Sequence, residues 1–169
     1  MKQRALFTLV LTTCTLVVCA WITLAAEQEN DSAIEAYISR QAHRERGEEY
    51  REARKVVVGD LTHDGTPETV VLYTIEGQGG SNLYIQYLAV FTQRNGKLAP
   101  LTHVEVGGKS VRSVELRSVE NNSILLETMR YGPKDPQCCP TVKGTTRYVL
   151  TGRTLREQKT KISKRRVVF

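Results

Sequence analysis

The sequence predicts a mainly β (α+β) fold: an antiparallel β meander of about seven to eight strands with one N-terminal helix packed on it. Three observations predict this class. One helical stripe of apolar residues stands near the start of the chain, and from Tyr50 onward the apolar pattern becomes alternating. Turn signals then recur at intervals of roughly 12 to 16 residues, as expected for consecutive hairpins. These signals are Asp64-Gly65, Gly79-Gly80-Ser81, Asn95-Gly96, Gly107-Gly108 and Asn121-Asn122.

Residues 1–26 predict an export segment. Lys2 and Arg4 form a positive n-region, and residues 5–26 contain no charged side chain. This pattern fits either a cleaved signal peptide or a retained signal anchor. In both cases Lys2 and Arg4 stay in the cytoplasm, and the rest of the chain is exported to the periplasm or cell envelope. The chain is anchored in the inner membrane if the segment is uncleaved.

Three further regions are predicted: an N-terminal helix and linker over residues 27–49, an antiparallel β domain over residues 50–158, and a basic C-terminal tail over residues 159–169. The tail contains five cations and no acidic residue, in a chain of net charge +6. Such a tail could hold an anionic envelope polymer. We expect no nucleic acid as a partner, because it is scarce outside the inner membrane.

A short amphipathic helix is predicted from Asp31 onward. Ser32 is placed to cap it, and Glu35, three residues later, completes a capping box. The apolar residues follow helical spacing and form one narrow stripe, which predicts a helix lying across a sheet; they are Ile34, Tyr37, Ile38 and Ala42. The helix is expected to end near Arg46-Gly47.

Eight strands are predicted from alternation and turn signals, over residues 52–60, 68–76, 83–92, 97–106, 111–119, 123–131, 144–151 and 154–159. Residues 70–73 and 88–91 are apolar without interruption. Strands of that kind are buried on both faces. We therefore expect these two strands to be central and buried, in a two-layer meander with a helix packed against it.

The loop that follows the first strand has calcium-loop spacing. Calcium takes six to eight oxygen ligands, which alternating loop positions can supply. The candidate ligands are Asp60, Thr62, Asp64, the carbonyl of Thr66, and Glu68. The alternative is a hairpin loop in which the two aspartates accept backbone amides and Gly65 takes a positive φ. No cofactor other than Ca²⁺ is indicated.

A proline-rich loop interrupts the strands at residues 131–141 and contains Cys138 and Cys139, the two cysteines outside the export segment. Adjacent cysteines in an oxidising compartment predict a vicinal disulfide. Metal binding, thiol redox chemistry and a bridge to a partner are the alternatives.

Further candidates for a binding loop are Tyr131, Lys134, Asp135, Gln78 and Tyr84. His63 and His103 stand apart and are expected to be surface residues.

Two stretches resemble known families. Gly59-Asp-Leu-Thr-His-Asp-Gly65, Tyr87-Leu-Ala-Val-Phe91 and Tyr131-Gly-Pro-Lys-Asp-Pro-Gln-Cys-Cys-Pro140 together resemble the LppP/LprE-type lipoproteins and related exported bacterial envelope proteins, over about residues 55–150. The Asp-Pro-x-Cys-Cys-Pro element is the most specific part. The resemblance implies placement in the envelope and carries no established activity. Around Cys19 the sequence lacks a good lipobox. Separately, the Asp60 loop is similar to the calcium loops of FG-GAP propeller blades and dockerins.

The chain contains no serine elbow and no Walker-type phosphate loop, so we expect no catalytic residues. The sequence favours an exported, non-catalytic binding or structural module of the bacterial cell envelope, with an envelope protein or an anionic polymer as its partner. Two alternatives remain. One is a thiol/redox enzyme that uses Cys138 and Cys139. The other is an inhibitor or immunity-type protein that inserts residues 132–141 into a partner's cleft.

Overall fold

The computed structural model describes residues 28–120 and 122–158. Helix α1 covers residues 28–45 of this part. The strands are β1 (Glu48–Glu49), β2 (Lys55–Gly59), β3 (Glu68–Glu76), β4 (Tyr84–Arg94), β5 (Lys97–Gly108), β6 (Arg112–Glu120), β7 (Ser123–Arg130), β8 (Val142–Thr151) and β9 (Thr154–Gln158). Short 3₁₀ turns occur at Arg51–Ala53 and Gln78–Gly80. The predicted export segment and basic tail lie outside the described residues.

Helix α1 packs one apolar stripe on the sheet, as predicted: Ile34, Ile38 and Ala42 are buried. The predicted cap is wrong. Residues 28–30 are already helical, so Ser32 lies within the helix, and its hydroxyl donates a hydrogen bond to the carbonyl of Glu29 at 2.9 Å. Serine can bond to the preceding turn in this way instead of capping. Within the described residues, no helix is both long and apolar enough to span a membrane.

The strands form one antiparallel sheet in the order β1-β3-β4-β5-β6-β7-β8-β9. β1 and β2 pair with successive parts of the same edge of β3. The structure therefore confirms the predicted mainly β, antiparallel fold with a helix packed against it. Several strand boundaries differ by one to three residues. The largest difference is at the strand predicted from residue 52, which begins at Lys55 because Arg51–Ala53 is a 3₁₀ turn.

The sheet folds over at the junction between β5 and β6, whose only paired residues are Gly108 and Arg112. Beyond this point the described residues of β6 have no backbone pairing with β5, and the side chain of Gln86 on β4 forms hydrogen bonds to the β6 backbone instead. Its Oε1 accepts from the amide of Val114 at 2.8 Å, and its Nε2 donates to the Val114 carbonyl at 3.1 Å. The far end of β6 crosses β2, where a Cβ on Gly59 would lie 2.7 Å from Val119 Cγ1. Strands β6–β9 thus form a second layer.

Two apolar cores result, one on each face of β3 and β4. The core between the two sheet layers includes Val70, Leu72, Leu88, Val90, Val114, Ile124, Leu126 and Tyr148. The core between the sheet and α1 includes Ile34, Ile38, Val71, Tyr73, Ala89 and Phe91. Alternate residues of the same strand enter different cores, which is why residues 70–73 and 88–91 are apolar throughout. The prediction that these strands are central and buried is confirmed.

The antiparallel connections distribute the loops between two ends of the molecule. The loop of residues 77–83, the turn of residues 109–111 and the loop of residues 131–141 lie at one end, which we call the cysteine end. The loop of residues 60–67 lies at the other, the aspartate end, with the turn of residues 95–96. The two candidate loops of the sequence are therefore at opposite ends.

Candidate functional site

The cysteine loop joins β7 to β8 and stands out from the sheet. Cys138 and Cys139 are bonded to each other as a vicinal disulfide, and both residues are exposed. The Cys139 amide donates to the carbonyl of Pro136 at 3.0 Å, which closes a tight turn around the disulfide. The two cysteines are thus presented to solvent at the tip of the loop.

Asp135 holds the neck of this loop together. Its Oδ2 accepts hydrogen bonds from the backbone amides of Gly132 and Thr141, both at 2.7 Å. The Thr141 hydroxyl donates to the same carboxylate at 2.9 and 3.0 Å. The pKa of Asp135 is lowered, mainly by the hydrogen bond from the Gly132 amide. Desolvation acts in the opposite direction, and the hydrogen bonds from Thr141 lower the pKa further. The carboxylate therefore stays ionised and fastens the start of the loop to its end.

Tyr131 adds a second internal tie, because its hydroxyl donates to the carbonyl of Gln137 at 2.7 Å. Tyr131 also lies near Tyr84 at the start of β4. The pKa of Tyr84 is raised above its usual value, mainly by burial and to a smaller extent by the neighbouring Tyr131. Two of the predicted binding-loop residues, Tyr84 and Tyr131, therefore lie near each other at the cysteine end. Lys134 is exposed on the same loop.

The loop of residues 77–83 forms the other side of this end. Its Gly77 has φ +74°, which favours glycine, and the Gly79 amide donates to the carbonyl of Arg46 at the end of α1, at 2.9 Å. Gln78 Nε2 donates to the Ile75 carbonyl at 2.8 Å. A cleft of about 700 Å³ lies between this loop and the residues that follow α1; it is lined by Arg46, Glu48, Glu76, Leu83 and Tyr84, among others.

Exposed apolar residues also occur at the cysteine end. Leu83 lines the cleft, Val111 lies in the turn between β5 and β6, and Val142 is the first residue of β8. Lys109 Nζ donates to the carbonyl of Asn82 at 3.3 Å and ties that turn to the loop of residues 77–83. The sequence did not single out these three residues, because each continues a normal strand pattern and only the fold shows that it is uncovered.

The predicted calcium ligands lie at the aspartate end and bond to the backbone. Asp60 accepts the amides of Thr62 at 3.2 Å and Gly65 at 3.0 Å, and Asp64 accepts the amide of Thr66 at 2.8 Å. Gly65 has φ +82°. These are the contacts that the hairpin alternative describes. Desolvation is the largest single cause and acts to raise the pKa of Asp60, but the backbone amides together outweigh it, so the pKa is lowered.

Glu68 is buried at the start of β3, where its Oε2 accepts the amide of Leu61 at 2.8 Å. The bond fixes Leu61, whose side chain is buried in the core between the layers. No group of three His, Cys, Asp or Glu residues placed to hold a metal ion is found over residues 28–120 and 122–158. Calcium binding here stays a prediction.

The two histidines do not meet. His63 is exposed in the aspartate loop with φ +56°. On β5, Nε2 of His103 lies 3.1 Å from Nε2 of Gln41 on α1. The Gln41 amide nitrogen donates to Nε2 of His103 when the imidazole carries its proton on Nδ1. Arg44 donates to the other atom of the Gln41 amide at 3.0 Å. The group thus ties α1 to the sheet.

A polar network inside the second layer was not predicted. Arg112 on β6 donates to both oxygens of Glu157 on β9, at 3.0 and 2.9 Å. Thr146 and Tyr148 on β8 also donate to this carboxylate. The pKa of Glu157 is lowered to about 2, mainly by the hydrogen bonds from Arg112. The pKa of Tyr148 is raised to about 12, mainly by burial. The network links the ends of β6 and β9 across β8.

Comparison of the chain with protein-family models, curated proteins and solved structures gave no significant match. The geometry therefore has to be interpreted by itself. The cysteine end presents exposed apolar side chains, two tyrosines and an exposed disulfide, beside loops that internal hydrogen bonds hold in shape. Such a surface is suited to binding, since its shape is fixed before a partner arrives.

Proposed function

We propose that this chain is an exported, non-catalytic binding module of the bacterial cell envelope, and that it docks an envelope protein at its cysteine end. The observation that carries the proposal is the exposure of Leu83, Val111 and Val142 at the end of the molecule that carries the Asp135-fastened loop. Exposed apolar side chains grouped at one end of a protein are typical of protein interaction sites. The export segment and the resemblance to envelope lipoproteins support the compartment.

The internal hydrogen bonds of the cysteine loop support this role energetically. A loop that is ordered before binding loses less conformational entropy when a partner immobilises it. Asp135 and the vicinal disulfide both restrict the loop. In this proposal the disulfide is therefore a stiffening element, and the apolar residues supply the contact area.

The exposure of Cys138 and Cys139 favours one alternative, a thiol–disulfide exchange enzyme. Such enzymes activate the attacking thiol at a helix N-terminus. Here Pro140 follows the pair and β8 begins at Val142. A protein that inserts the same loop into the cleft of a target enzyme would use the same contact surface, so it differs from the main proposal only in the identity of the partner.

The test is capture of partners from envelope extract with the full-length chain, compared with single variants. Val111→Lys should abolish capture of any partner that binds the cysteine end. Val58→Lys is the matched control, because Val58 and Val111 are 60% and 59% exposed and lie on different surfaces. Identical partners for the unmodified chain and Val111→Lys would reject the proposal.

Two more variants separate the alternatives. Asp135→Asn should weaken capture, because it removes the charge that accepts the Gly132 and Thr141 amides. The double variant Cys138→Ala/Cys139→Ala should retain measurable capture. If that variant keeps its fold but the unmodified chain turns over a thiol substrate, the redox alternative replaces the proposal.

A further inference from the structure

Exposed large apolar residues also lie on the edge of the sheet, beside β3. Val56 and Val58 are on β2, toward the aspartate end, whereas Tyr50 follows β1, nearer the cysteine end. Val56 and Val58 pair with Val71 and Thr69, so their side chains lie on the face that α1 covers further along the sheet. This edge thus combines uncovered apolar side chains with a β-strand backbone.

The outer edge of β2 is open within the described residues. β2 pairs with β3 alone, and the backbone groups of residues 55–59 make no other hydrogen bond there. An open strand edge is a template for another strand, and natural proteins usually protect it with charges, proline or a bulge. Over residues 55–59 the protection consists of one charged side chain, Lys55.

The sequence of this edge is complementary to itself. When two copies of β2 are placed antiparallel around a two-fold axis at Val57, Val56 of each copy faces Val58 of the other. Lys55 faces Gly59 of the second copy and stands beside its Asp60. No like charges meet in this register, and each lysine gains an acidic neighbour, so both the apolar and the charged residues favour a second copy as the occupant.

We propose that the β2 edge is the two-fold interface of a homodimer, formed by antiparallel pairing of Lys55–Gly59 with the same strand of a second copy. Five residues make a short interface, so the dimer is weak, with a dissociation constant of about 1 µM or above. This proposal is independent of the one made for the cysteine end, because the two surfaces share no residue.

Sedimentation velocity of the full-length chain in detergent, over a concentration series, tests the proposal. The unmodified chain should dimerise with rising concentration. Val58→Lys should raise the dissociation constant about tenfold or more, because symmetry introduces the change twice. Lys55→Glu should also raise it, since the new carboxylate stands beside Asp60 of the second copy. Val111→Lys, equally exposed, should leave it unchanged.

A second measurement needs no variant. Amide hydrogen exchange of residues 55–59 should slow as the concentration rises, whereas exchange in residues 109–111 should not change. A monomer at every concentration would overturn the proposal. So would a dimer that neither Val58→Lys nor Lys55→Glu weakens, or one in which Val111→Lys has the larger effect. Dimerisation lost in Val58→Lys with partner capture retained would confirm that the two surfaces act separately.

Discussion

Replacing Glu157 by Gln removes the charge at the centre of the network that joins β6, β8 and β9. The Glu157 carboxylate accepts hydrogen bonds from Arg112, Thr146 and Tyr148, and its pKa falls from 4.5 to about 2. A shift of that size corresponds to about 3 kcal/mol of folding free energy for a fully buried group. The Glu157 side chain is 40% exposed, so screening by solvent reduces this to about 1–2 kcal/mol.

The sign of the pH dependence follows from the lowered pKa. The stabilisation is complete above the unfolded-state pKa of 4.5 and is lost as the pH falls toward about 2. We expect chemical denaturation at pH 7 to show Glu157→Gln destabilised by about 1–2 kcal/mol, equivalent to a fall of about 3–8 °C in melting temperature. Between about pH 5 and pH 2 the unmodified chain should lose this advantage, and the two curves should converge.

Glu127→Gln is the matched control. Glu127 also pairs with an arginine, Arg117, at 3.0 Å, but both side chains are largely exposed. Exposed ion pairs contribute about 0–1 kcal/mol. If Glu157→Gln is no more destabilising than Glu127→Gln at pH 7, or if the difference between Glu157→Gln and the unmodified chain is the same at pH 3 and pH 7, the assigned role of the network is refuted.

Two further predictions concern Gln86 and the aspartate loop. Gln86→Met should keep the side-chain volume and lose both hydrogen bonds to the Val114 backbone. Because two buried backbone groups are then unpaired, we expect urea denaturation to show a loss of about 1–3 kcal/mol in the free energy of unfolding. An unchanged denaturation midpoint would show that the sheet folds over without these two hydrogen bonds. Since Asp60 and Asp64 bond to backbone amides, calorimetry should find no sub-millimolar Ca²⁺ binding. A sub-millimolar isotherm that Asp64→Ala abolishes would establish the calcium site instead.

Much of the fold could be predicted because its signals are local. The continuous apolar residues 70–73 indicated a central, buried strand, and Asn95-Gly96 indicated a hairpin turn, where both residues do have positive φ. The Asp60 loop could be interpreted as a hairpin for the same reason, since its hydrogen bonds span only a few residues. Short-range chemistry of this kind is present in the sequence itself.

The parts that were not predicted depend on contacts between distant residues. Arg112 and Glu157 are 45 residues apart, and Gln86 bonds to Val114 across 28 residues. Both contacts exist only because pairing between β5 and β6 stops after Gly108 and the sheet folds over. No local pattern specifies that point. The short strand β1 was missed for a different reason, since Glu48–Glu49 has no apolar signal of its own.

The polar residues that first suggested chemistry share one structural property. Asp60, Asp64 and Asp135 use carboxylate oxygens to accept backbone amides of the loops in which they lie, and buried Glu68 accepts the amide of Leu61. Carboxylates that accept backbone amides in this way fix the shape of their loops, because removing a carboxylate would leave those amides without a hydrogen-bond acceptor. Leu83, Val111 and Val142, which are exposed at the cysteine end, have no such internal role. That division of roles favours recognition of another protein over catalysis, and it is why the Val111→Lys capture experiment bears most directly on function.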